Sequence, residues 1–201
     1  EITISADRSG PFEVDEALWN SATPPSEDAF ADSLIAASKS FLVRRDDGKT
    51  VIAGYPWFLD WGRDTLICAR GLLAAGLIDE VRDILIVFAR FEEKGTLPNT
   101  IHGANASNRD TSDAPLWFGV VCEDLAAIIG DEVYALKIDD AGRTIAEVLQ
   151  SIGENHLRGT PNKIHVDHAA DLLAVEGLSD HLLRDVLVDA WDVDCECGHV
   201  D

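Results

Sequence analysis

Positive charge is scarce in this sequence: 16 Lys and Arg stand against 37 Asp and Glu, for a formal net charge of −21. Only Lys39, Lys49, Lys94, Lys137 and Lys163 are lysines. So acidic a chain lacks the basic patch that nucleic acid and anionic membrane surfaces require, and neither is an expected partner. An acid-rich, lysine-poor surface suits high salt, where screening relieves self-repulsion. No apolar run is long enough to cross a bilayer. The opening EITISADRSGPFEVDE lacks a basic stretch followed by an apolar one, so the expected location is the cytoplasm. Methionine is absent, residue 1 included, which suits a processed or partial chain. Cys68 and Cys122 fall in apolar helical patterns, as buried reduced thiols would. Cys195-Glu-Cys197-Gly-His199 offers three zinc-type ligands but no second cluster at a usual spacing. No metal and no cofactor is expected.

Helical periodicity dominates what is there. A helix is expected from Glu27, with Phe30, Leu34, Ala37 and Phe41 on one stripe. FLVRR and TVIAG then flank Asp46-Asp47-Gly48 as a small β-hairpin, Asp-Gly being a strong tight-turn signal. Thr65–Ala75 reads as an apolar helix closed by Gly76. Asp79–Glu93 reads as an amphipathic one faced by Val81, Ile84, Leu85, Phe88 and Phe91. The Gly/Asn/Ser-rich stretch 95–114 is long for a connection, and loops of that length tend to be functional or disordered. Beyond it, Pro115 opens a helix carrying Trp117, Val120, Val121, Leu125 and Ile128. Further helices fit 140–152 and, behind Ser179 as cap, 180–191. The expected fold class is all-α, helical hairpins joined by loops with one small β-hairpin. Residues 1–26 precede it without sustained period, 27–192 form the helical domain, and 193–201 are an acidic tail.

Two loops at helix junctions carry an unusual mixture. YPWFLDWGRDT (55–65) and DTSDAPLWF (110–118) both combine carboxylates with tryptophan. Neither contains a Ser/His, Cys/His or glycine-rich phosphate pattern. Aromatic faces for sugar C–H surfaces, with carboxylates and an arginine for hydroxyls, are what a carbohydrate site needs. Cleaving a glycosidic bond takes two carboxyl groups, one protonated and one ionised. Asp113 is the acid candidate, one turn before Trp117. An apolar neighbour would favour its protonated form and the helix N-terminus its ionised form, so burial or the negative charge of Asp60 or Asp64 would have to decide. The alternative is plain helix capping by Thr111, Ser112 and Asp113. Likewise Asp60, Arg63 and Asp64 read either as ligand contacts or as an ion-pair cluster, and Trp57, Trp61 and Trp117 as stacking or core rings. His102, His165 and His168 read as exposed or hydrogen-bonded rather than as ligands.

Taken in order, GYPWFLDWGRDT, the helix with RGLL behind it, GTLPNTI and TSDAPLWF form a pattern that composition does not explain. It resembles the C-terminal amylo-α-1,6-glucosidase region of glycogen debranching enzymes. The likeness is strong from about Ala53 to Val121 and looser through 140–152 and RGTPNKIHVD, and no match is read after His168. It implies about half of an (α/α)6 toroid and inverting hydrolysis of α-1,6-linked glucose on a glucan. Asp113 falls on the family's general acid. Asp60, Trp61, Arg63 and Asp64 fall on its glucose-binding loop, with Arg63 expected to keep both neighbouring carboxylates ionised. Trp57 and Trp117 fall on rings lining its cleft. The family's second catalytic carboxylate lies late in the barrel, beyond the matched stretch, so the alternative is a binding remnant without hydrolysis. An unfinished ring would also leave an apolar edge, and self-association is expected through it.

Overall fold

A computed structural model of the chain describes residues 28–54, 58–167 and 172–175. Five α-helices form it: α1 (Ala29–Lys39), α2 (Gly62–Ala74), α3 (Ile78–Arg90), α4 (Ala114–Ile129) and α5 (Ile145–Arg158). Among the described residues strands come in antiparallel pairs: β1 (Leu42–Arg45) with β2 (Gly48–Val51), β3 (Asp60–Trp61) with β4 (Thr100–Ile101), and β5 (Ile164–Asp167) with β6 (Leu172–Val175). The architecture is a partial helical toroid, mostly helical, and the expected hairpin is joined by two further strand pairs. Among the described residues no helix is long and apolar enough to cross a membrane. The expected lead-in 1–26, Trp57, the helix 180–191 and the Cys195–His199 tail lie outside the described residues.

Local chemistry explains where the elements begin and end. Asp28 caps α1, its Oδ1 accepting from the Phe30 and Ala31 amides at 2.9 and 3.3 Å. Helix α2 stops because Gly76 adopts φ +78°, which costs glycine little. Gly76 N–H then donates to Leu73 and Leu77 N–H to Leu72, capping the last carbonyls. Helix α5 starts at 145 rather than near 140, because Thr144 and Glu147 form a reciprocal capping box there.

Leu66, Leu72, Ile84, Leu85, Phe88, Phe118, Leu125 and Ile145 lie in one continuous core. The α3 stripe reads as expected, with Val81, Ile84, Leu85 and Phe88 buried and Phe91 packed against them. Helix α4 does not. It buries Ala114, Phe118, Val121, Cys122 and Leu125, while Val120 and Ile128 face outward. That helix is apolar nearly all round, so its sequence could not say which face turns in. The α1 stripe is also corrected: no α1 residue is buried, Phe30 and Leu34 are exposed, and Ile35 reaches the core.

The hairpin holds a second correction. Arg45 pairs with Gly48, so the turn residues are Asp46 and Asp47, with Asp46 at φ +52°. Gly48 belongs to the strand, where a Cβ would stand 2.5 Å from Val87 Cγ2 on α3. Packing rather than turn geometry requires that glycine.

Candidate functional site

The two aromatic–acidic stretches meet through an intermediary. Strand β3, which is Asp60–Trp61, pairs with Thr100–Ile101 of the segment between them. Gly62 N–H continues the ladder by donating to the Asn99 carbonyl at 2.9 Å. A Cβ on Gly62 would meet the Pro98 carbonyl oxygen at 2.5 Å and Ala114 Cβ at 3.5 Å. Only glycine lets the start of α2 sit against both the LPNT turn and the start of α4. Arg63, one residue on, is thereby brought beside Asp113, one residue before α4.

The 95–114 segment is correspondingly well tied, although its composition reads as a loose loop. Arg109 Nη1 donates to the carbonyl and hydroxyl oxygens of Thr96, both at 3.0 Å, and Nη2 to the Phe91 carbonyl at 2.6 Å. Asn99 N–H donates to Asn108 at 2.8 Å. Glu92 accepts from Gly95 N–H at 2.7 Å and Ser151 Oγ at 2.8 Å, and is ion-paired with Arg143. Sequence reading missed Arg109 and Glu92, since nothing in their spacing marks them.

Asp113 occupies the N-cap position of α4, but its side chain makes no capping hydrogen bond. Its main-chain carbonyl accepts from Leu116 and Trp117 N–H instead. The carboxylate turns to Arg63: Nε lies 3.0 Å from Oδ1 and 2.8 Å from Oδ2, and Nη2 2.9 Å from Oδ1. Thr111 Oγ1 adds a donor at 3.2 Å. Of the two readings of Asp113, capping is not the one the side chain serves. The charge beside it is a guanidinium, however, and neither Asp60 nor Asp64.

That pairing revises the expected role of Arg63 as partner to Asp60 and Asp64. Asp60 is matched by Arg45, whose Nη1 lies 3.0 Å from Oδ2, in a side chain only 2% exposed. Arg45 also donates to the Gly103 carbonyl and stacks 5.7 Å from the centre of the Phe91 ring. Burial raises the Asp60 pKa above the ordinary value, and the Arg45 charge partly offsets this. Asp60 thus sits under the surface, not on it, because β3 turns its side chain toward β1. No spacing rule pointed to Arg45. Asp64 is exposed in the first turn of α2. Trp61, half-exposed, ends β3. Trp117 is half-exposed with the Arg70 guanidinium 6.0 Å from its ring centre, and Arg70 Nε lies 2.7 Å from Asp124 Oδ2. The structure therefore brings Arg63 and Asp113 into contact, places Trp61, Asp64 and Trp117 on the same two helix starts, and pairs Asp60 with Arg45 instead. Among the described residues no group of His, Cys, Asp and Glu is disposed to hold a metal.

A partial helical toroid whose sequence matches a glycosidase family model is a glycoside hydrolase-like domain. Residues 36–190 match the family described as amylo-alpha-1,6-glucosidase, and the chain belongs to that family. The match continues past His168 to residue 190, correcting the reading that the family pattern stops there.

Proposed function

We propose that this domain binds the non-reducing glucose of an α-1,6 branch on a glucan, and that Asp113 is the general acid for its inverting hydrolysis. The observation that carries the reading is the Asp113 carboxylate itself, which stands at the head of a helix and declines the capping bond open to it. In hydrolysis Asp113 would protonate the leaving glycosidic oxygen, while a second carboxylate roughly 6.5–9.5 Å away activates water on the opposite face. Asp60 is excluded from that second role by its buried pairing with Arg45. Trp61 and Trp117, and Trp57 from the sequence pattern, would offer faces to the sugar ring, and Arg63 and Asp64 hydrogen bonds to its hydroxyls. Binding without hydrolysis is the second reading. It is favoured by the charge that contacts Asp113, which belongs to Arg63 and not to a second carboxylate.

Glucose release from a branched limit dextrin, compared with an Asp113→Asn chain, separates the two. Steady release that falls ~10²–10⁴-fold in the variant, the usual contribution of a general acid, supports the hydrolase reading. No release from either chain, with oligosaccharide still bound by both, leaves the binding reading.

A further inference from the structure

We infer that Arg63 is a ligand-operated latch on Asp113, held by the carboxylate in the free protein and drawn off it by the hydroxyls of a bound glucoside. The inference rests on the carbohydrate reading of the site and adds to it how binding would ready the acid.

Both oxygens of Asp113 are taken by the Arg63 fork, at 2.8 to 3.0 Å. A carboxyl group carrying a proton presents an O–H where that fork presents N–H. A proton-bearing Asp113 keeps one acceptor oxygen but not two, so the two-oxygen clamp must open before the acid can act. The two partners are unequally free to move. The Arg63 side chain is 51% exposed, whereas that of Asp113 is 13% exposed. Asp113 is further tethered by the Thr111 hydroxyl, which stays with it after Arg63 departs, so the released carboxylate keeps a donor. Arg63 also has somewhere to go. It lies in the first turn of α2 with Trp61 before it and the exposed Asp64 after it, the residues the carbohydrate reading sets against a sugar. Vicinal hydroxyl oxygens can accept its parallel N–H donors much as a carboxylate does. A half-exposed ion pair is weak enough for a neutral ligand to displace.

The test is a double-variant cycle read by calorimetric titration with isomaltose, using the wild-type chain, Asp113→Asn, Arg63→Gln and the two together. If Arg63 is latched, the ligand must break the pair, and removing the carboxylate's charge frees the arginine in advance. Asp113→Asn is then expected to tighten binding by roughly two- to five-fold, the worth of a pair of this exposure. Arg63→Gln weakens binding, and in its background Asp113→Asn brings no gain. A weaker Asp113→Asn complex, or the same gain with and without Arg63, overturns the latch while leaving the sugar site standing. If isomaltose binds none of the four chains, the carbohydrate reading fails and the latch fails with it.

Discussion

Two of the arginine–carboxylate pairs that tie this domain together differ in how they are held. Glu92 is 1% exposed and meets Arg143, Gly95 N–H and Ser151 Oγ, which joins the turn after α3 to α5. Asp113 meets an arginine that is half in solvent. A buried carboxylate that also holds a main-chain amide and a hydroxyl cannot lose its place without leaving those donors unanswered, whereas a contact whose arginine is half in solvent can exchange its partner for water or a ligand at small cost. The same two residue types thus make a rivet on one side of the fold and a movable contact on the other. Permanence follows from burial and donor count rather than from charge.

The largest expected effect breaks the rivet. Glu92→Ala leaves the Gly95 amide and the Ser151 hydroxyl without their acceptor, while Arg143, 32% exposed, turns to water; the change is expected to cost about 2–4 kcal/mol in chemical denaturation. Arg63→Gln on the movable side is expected to cost only ~0.2–1 kcal/mol. Equal losses in the two variants would mean that burial does not separate the pairs.

Next in size is Gly62→Ala, which tests what places the movable pair. Its added Cβ would press on the Pro98 carbonyl oxygen, a main-chain atom that cannot rotate aside. Overpacking of this kind costs typically about 1–3 kcal/mol. The strain falls on the β3–β4 ladder, so sugar binding should weaken by more than in an equally destabilised chain altered elsewhere in the core. A variant that melts and binds as the parent does would show that the two helix starts are not held by this contact.

How much of this could be read in advance depends on whether a feature is local. Helix α3 was legible because its apolar stripe repeats with the helical period, and the end of α2 because Gly76 is a cap signal. Asp113 and Arg63 were legible as site candidates because each lies in a stretch where rings and charges are mixed. What was not legible is who faces whom. Arg63 lies one residue from Asp64 and three from Asp60, yet it pairs with Asp113, 50 positions away. Asp60 finds Arg45 through an ion pair between strands of two different sheets, which no local pattern advertises. The buried face of α4 was hidden because its sequence is apolar on most sides, so periodicity held no contrast. Gly48 shows a misleading signal: Asp-Gly reads as a turn, but the glycine is there to clear Val87.

The smallest expected effect sets the two sides apart by pH. On the rivet side, α5 carries His156, with its Nδ1 2.8 Å from the Ile152 carbonyl and its Nε2 buried without a partner among the described residues. Burial lowers the His156 pKa below its ordinary 6.5, the contact with the Ile152 carbonyl opposing this. The folded chain then binds fewer protons here than the unfolded one, so His156 stability is complete above about pH 6.5 and drains away as pH falls through the lowered folded value. On the site side, burial raises the Asp60 pKa above 3.8, so the folded chain holds that proton longer. Asp60 therefore favours the fold most below pH 3.8, and this contribution declines as pH rises through the raised value. His156→Asn keeps a donor for the Ile152 carbonyl but cannot gain a charge. Melting temperatures taken across the acid range should fall less steeply below pH 6.5 in that variant than in the parent. Parallel curves would mean that His156 titrates alike in both states, and that the orphaned Nε2 reaches water as the chain breathes.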